Sequence, residues 1–223
     1  MERKLIIFDM DGLMFDTERI NGDALIAAAK TYGYEISYQM RLKMLGRSKK
    51  DNGKLQLDTF GQDYPLEEIR SLASANKQLY LEEYGLPVKD GLYELLAYLQ
   101  ENGIKITLAS SSSKHDIISY LNMTNITNYF DYIISGDEVT NSKPDPEIFL
   151  QVCKKLNIPP ENALVLEDSQ NGILAAVNAN IPVICIPDLV NHPSDINDLT
   201  YQVLPSLKDV VNILKTENNV DND

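Results

Sequence analysis

KLIIFDMDGLMFDT, residues Lys4 to Thr17, is the segment that most constrains the architecture of this chain. Leu5, Ile6, Ile7 and Phe8 form a wholly apolar run that stops at Asp9. A strand buried on both faces of a parallel sheet reads this way where its carboxyl end opens onto a ligand crevice. Asp9 and Asp11 stand two residues apart with Gly12 directly after, so two carboxylates ride on a tight turn that a residue tolerant of positive φ adopts easily. Such a turn suits a divalent cation and attack on phosphorus. An EF-hand reading fails, because that loop wants Gly at its sixth position and a bidentate Glu at its twelfth, whereas Gly is fourth here and Arg19 or Ile20 falls near the end.

Outward from that stretch, the 223 residues suffice to bury a full core, and an apolar share of 43% with 24% charged residues is that of an ordinary soluble globular protein. The formal charge of −13 comes without a basic run beyond Lys49-Lys50 or Lys154-Lys155, which disfavours a nucleic-acid partner. A small phosphorylated substrate needs only local positive groups. The opening MERKLIIFD is too short in apolar residues for a signal peptide, and nowhere do about eighteen apolar residues run together, so no membrane partner and a cytoplasmic location are expected. Cys153 and Cys185 fall in apolar patterns and read as buried, unpaired thiols.

Along the chain, residues 17 to 84 repeat one style. Ile20, Ala24, Leu25, Ala27 and Ala28 recur at helical spacing, with Asp16 and Thr17 available as caps and Gly33 as the stop, and helical patterns continue through residue 84. The expectation is an all-α cap domain over 16–85 inserted into an α/β core made of 1–15 and 86–223. After Pro87 strand and helix alternate: short apolar runs at 104–109, 132–135, 163–167 and 182–186 are separated by helical patterns, with 202–204 as a last edge strand, 207–214 as a last helix and 217–223 as a polar tail. Repeated βα units imply a Rossmann-like, mostly parallel sheet with helices on both faces.

Three later stretches end in groups that suit the first. IKITLASSSS, Ile104 to Ser113, is an apolar strand that closes on four hydroxyls before a helix; Ser110 at its end is the candidate for a phosphate oxygen, Ser111 for the substrate, and one of Ser111 to Ser113 for the helix cap. In NSKPDPEIF, Lys143 precedes Pro144 and is biased to extended backbone, which suits a fixed positive charge, while Asp145 and Glu147 start a helix. ALVLEDSQNG ends an apolar strand in Glu167 and Asp168, with Ser169 as a cap and Gly172 after it. Four acids at strand ends would repel strongly without a cation among them, and a hard ion with oxygen ligands, Mg²⁺, suits them. Neither His115 nor His192 lies near such a stretch in the sequence, which argues against zinc.

In this order and at these strand ends, D-x-D-G, Ser, Lys ahead of Pro and an acidic pair resemble the haloacid dehalogenase-like superfamily of phosphotransferases, and within it the phosphatase and β-phosphoglucomutase-like subgroup. Leu13 stands where that subgroup more often has Val or Thr. The resemblance implies Asp9 as a nucleophile forming an aspartyl-phosphate and Asp11 as general acid and then base. It implies Ser110 and Lys143 as partners of the transferring phosphoryl, and Mg²⁺ held by Asp9, the Asp11 backbone carbonyl and Asp168 with Glu167 in support. It further implies that Asn21 lies near the leaving oxygen and that Gly46-Arg47-Ser48-Lys49 offers Arg47 and Lys49 to a second anionic group. Sugar mutases of the subgroup tend to carry His where Asn21 stands and Arg where Lys49 stands. Hydrolysis of a small phosphomonoester, a sugar phosphate foremost, is therefore expected ahead of a phosphomutase or an idle binding protein, and a monomer is the default.

Overall fold

Six strands, every neighbouring pair parallel, make one sheet in the order β3-β2-β1-β4-β5-β6 in this computed structural model. It describes residues 3–45, 47 and 49–220, the last four as backbone only. Gly46 and Ser48 of the basic stretch and the end of the polar tail lie outside the described residues. The elements run β1 (Leu5–Phe8), α1 (Thr17–Thr31), α2 (Tyr38–Met44), α3 (Lys49–Phe60), α4 (Leu66–Tyr84), α5 (Leu92–Glu101), β2 (Lys105–Ser110), α6 (Lys114–Met123) and β3 (Tyr132–Ser135). They continue as α7 (Glu147–Leu156), β4 (Ala163–Glu167), α8 (Gln170–Asn178), β5 (Val183–Cys185), α9 (Ser194–Asn197), β6 (Gln202–Val203) and α10 (Leu207–Val220). The last helix runs further than the apolar spacing of 207–214 predicts.

By compactness the chain divides into two units, one taking it up to Phe15 and from Val88 on, the other Asp16–Pro87. In the first, β1 is fully buried, as its unbroken apolar run requires. Leu5 and Ile7 join Ala109, Val165, Ile148, Phe149, Val152 and Ile173 in one core beneath α7 and α8. Ile6 and Phe8 alternate to the opposite face, where α5 packs on β2 and α10 on α5. Strand order changes direction at β1, between β2 and β4. In open α/β sheets the crevice outside the strand ends at such a switch point is where ligands bind.

The described residues of the second unit form four helices. α1 packs along α4, and the core holds Ala28, Ala29, Met40, Tyr64 and Ile69. The α1 cap differs from the expectation: Asp16 occupies the N-cap position but makes no side-chain capping bond, and its carboxylate instead pairs with Arg19 at 3.0 Å. Among the described residues no helix is long and apolar enough to cross a membrane. Cys153 and Cys185 are free and buried.

Candidate functional site

β1 ends at Phe8 because the next residue is a carboxylate. Asp9 keeps one ladder bond, its N–H donating to the Leu166 carbonyl at 3.1 Å, and then the chain turns: Met14 and Phe15 N–H groups both close back on the Met10 carbonyl. Gly12 sits in the turn at φ 86°, and a Cβ there would lie 2.2 Å from an Asp168 carboxylate oxygen. Glycine is thus required twice, for conformation and for close approach. β2 and β4 flank β1, so the ends of the three strands bring Ser110, Asp9 and Glu167 side by side.

Lys143 fills the space between them. Its ammonium donates to Asp9 Oδ1 at 2.6 Å, Glu167 Oε1 at 2.7 Å and the Ala109 carbonyl at 3.1 Å, while its side chain is 4% exposed. The Phe149 ring lies 4.9 Å from Nζ. The loop that carries Lys143 is tied down by Glu147, whose carboxylate accepts the Thr140 and Asn141 N–H groups, and by Asn178, which donates to the Pro144 carbonyl. Glu167 is fully buried. Its second oxygen accepts from the N–H and hydroxyl of Ser169 at 2.8 and 2.9 Å, and the same hydroxyl caps α8 at the Gly172 N–H.

Burial pushes the Asp9 carboxyl up, against the pull of Lys143 and with help from the Glu167 and Asp11 charges, to about 8. Burial also opposes the Lys143 ammonium, but Asp9 and Glu167 outweigh it and keep the charge in place. Asp9, Glu167 and Asp168 each offer a carboxylate oxygen within 4.8 Å of the others. Three neighbouring carboxyl groups make an all-oxygen donor set, which fits a hard divalent cation.

The Asp11 carboxylate points elsewhere. It accepts from the Ser112 hydroxyl at 2.7 Å and, less closely, from Ser110 at 3.4 Å. Asp9, Asp11, Ser110, Lys143, Glu167 and Asp168 therefore form one connected cluster at the strand ends. Ser111 is exposed, and Ser113 caps α6 through the Asp116 N–H.

Residues 6–186 match the sequence model of the haloacid dehalogenase-like hydrolases. The chain belongs to this family. It is 29% identical over 211 residues to a phosphorylated carbohydrates phosphatase of Thermotoga maritima, covering 94% of this chain and 97% of that one. Hexitol phosphatase B of Escherichia coli is 30% identical over 186 residues, 81% of this chain and 82% of that protein. In structure the chain is similar to a β-phosphoglucomutase from Clostridium difficile, with a TM-score of 0.78 at 25% identity over 98% of this chain and 99% of that one.

Two members of this haloacid dehalogenase-like site escape a reading of the sequence. His192, which its sequence position sets apart from every motif, in fact lies with Nε2 2.6 Å from the Asp168 carbonyl oxygen. A carbonyl only accepts, so Nε2 carries the proton. The loop after β5 folds back to the end of β4, and its separation along the chain hides this. Ser112 is the other, because four consecutive serines carry no signal of which hydroxyl meets Asp11. Asn21, Arg47 and Lys49 belong to the helical unit. Asn21 is half-buried on α1, Arg47 is exposed, and the exposed Lys49 opens α3 with its carbonyl accepting from Arg70 at 2.5 Å.

Proposed function

We propose that this protein is a Mg²⁺-dependent phosphatase of small phosphomonoesters, sugar phosphates foremost, that works through an aspartyl-phosphate on Asp9. The observation that carries the reading is the buried ammonium of Lys143 bridging Asp9 and Glu167, at 2.6 and 2.7 Å, at the sheet's switch point. A nucleophilic carboxylate can approach a phosphoryl group only where the negative charge of both is countered.

In the first step an Asp9 carboxylate oxygen attacks phosphorus, the bond from phosphorus to the ester oxygen breaks, and Asp11 gives its proton to the departing alkoxide. In the second, Asp11 takes a proton from water, the resulting hydroxide attacks phosphorus, and the bond to Asp9 breaks to release inorganic phosphate. Lys143 and the Ser110 hydroxyl bind the phosphoryl oxygens. Mg²⁺, held by Asp9, the Asp11 carbonyl and Asp168 with Glu167 in support, supplies charge neutralisation and in-line orientation when bound. Choice of substrate beyond the phosphoryl is assigned to Asn21, Arg47 and Lys49 of the helical unit and to Ser111.

The phosphatases named among the relatives support hydrolysis, and the likeness to a β-phosphoglucomutase supports a second reading as a sugar phosphomutase. One panel separates them: phosphorylated metabolites that include sorbitol 6-phosphate and glucose 1-phosphate, with Mg²⁺, and with Asp9→Asn as control. A phosphatase releases inorganic phosphate from sugar phosphates, and Asp9→Asn loses at least about a thousandfold in rate, since the covalent step has no nucleophile. A mutase isomerises the hexose phosphate with a bisphosphate primer and little net release. Equal turnover by Asp9→Asn would remove the nucleophile from the account.

A further inference from the structure

We infer that Ser112 is the positioning residue for the general acid and base: its hydroxyl, 2.7 Å from Asp11 Oδ2, holds the Asp11 carboxylate in line with the leaving oxygen and leaves the Ser110 hydroxyl free for the phosphoryl. The inference rests on the proposed phosphatase reading and adds to it a residue outside the four motifs.

A serine hydroxyl has one proton. Ser110 stands 3.4 Å from Asp11, at the edge of a hydrogen bond, and already accepts the Ser112 N–H at 3.0 Å. If its proton served Asp11, none would remain for a phosphoryl oxygen. The shorter contact from Ser112 removes that conflict. The geometry then divides the work between two hydroxyls two residues apart.

Ser112 is also mounted as a fixed donor. Its N–H is held by Ser110, its carbonyl accepts the Gly136 N–H at 3.0 Å, and the next residue caps α6. Gly136 lets the two backbones meet this closely, since a Cβ there would fall 2.4 Å from the Ser111 carbonyl oxygen. Tyr120, buried and packed edge-on against Phe15, adds a poorly solvated wall near the same carboxylate. Burial first, and the Asp11 charge after it, hold its phenol well above the ordinary value and therefore neutral. A hydroxyl fixed at its backbone and aimed at a half-buried carboxylate costs little further ordering when the proton moves.

A test follows from leaving-group chemistry. A nitrophenolate departs without a proton, whereas an alkoxide needs one, so in the first step a misplaced acid is felt on alkyl esters alone, while the base role of Asp11 in the second step is common to both esters. The measurement is the ratio of kcat/KM for sorbitol 6-phosphate to kcat/KM for p-nitrophenyl phosphate, which reports the first step, in wild type, Ser112→Ala, Ser112→Thr and Asp11→Asn. Ser112→Ala is expected to lower the ratio about tenfold, the worth of one hydrogen bond to a charged group. Ser112→Thr, which keeps the hydroxyl, restores it to within about threefold. A ratio unchanged in Ser112→Ala beside a large fall in Asp11→Asn overturns the role of Ser112 and leaves the phosphatase mechanism standing. An unchanged ratio in Asp11→Asn overturns the acid role of Asp11, and the inference with it. A Thr variant as impaired as Ala shows that packing, not the hydroxyl, matters at this position and also overturns the inference.

Discussion

Lys143 joins two buried acids, Asp9 and Glu167, in one small space. Replacing it with Met keeps the stem and deletes the charge, leaving the buried Glu167 carboxylate without its cation. Breaking a buried pair from one side costs about 3–5 kcal/mol, so Lys143→Met is expected to lower the urea midpoint by that equivalent in metal-free protein. Asp9 makes a second prediction. Burial raises its carboxyl to about 8, and the proposed Mg²⁺ site needs the carboxylate, so protons and Mg²⁺ are expected to compete there. As pH falls below about 8, the protonated share of Asp9 grows and Mg²⁺ affinity weakens, by up to tenfold per unit for one displaced proton. Calorimetric titration with Mg²⁺ at pH 6, 7 and 8 checks this. At this scale Asp9, Lys143 and Asp168 were legible because acids or a rigidly held lysine follow apolar strands. Ser112 and His192 were not, since their contacts depend on backbones meeting across elements that spacing along the chain does not relate.

Among the elements, α8 shows how a helix can be built to serve a side chain. Ser169 caps it while gripping Glu167, and Gly172 leaves room for that carboxylate, whose Oε1 would be 1.7 Å from a Cβ at this position. Helix propensity alone favours alanine over glycine by about 1 kcal/mol. Displacing Glu167 from Lys143 opposes this with about 3 kcal/mol. The collision wins, so Gly172→Ala is expected to be destabilising by about 2 kcal/mol in thermal unfolding, against the propensity scale. Helix positions were readable from apolar spacing, yet the purpose of their first turns was not. Glu147 reads as an ordinary helix-start acid, and it is the anchor of the loop that presents Lys143.

Taken whole, the α/β unit carries its own core and cluster. Phe15 pairs with Val88 in an antiparallel bridge, so its two chain segments come together where the helical unit departs. Replacing 16–87 with a short Gly-Ser link is expected to leave a folded α/β protein, because its apolar core is contributed by its own strands and helices. Far-UV circular dichroism and retained Mg²⁺ stabilisation, a rise in melting temperature with metal, check this; loss of cooperative unfolding would sink it. By itself the amino-acid order determined that apolar runs end abruptly in Asp9, Ser110 and the Glu167-Asp168 pair, because a buried strand cannot continue through polar groups without partners. It also determined that the regular structure among the described residues of 17–84 is helical. Which strands lie next to one another was decided only by the tertiary structure. Parallel strands joined by crossovers can be ordered in several ways at equal local spacing, and only packing of the helices on both faces puts β2 and β4 on either side of β1. From that one arrangement come the 2.6 and 2.7 Å contacts of Lys143 with Asp9 and Glu167.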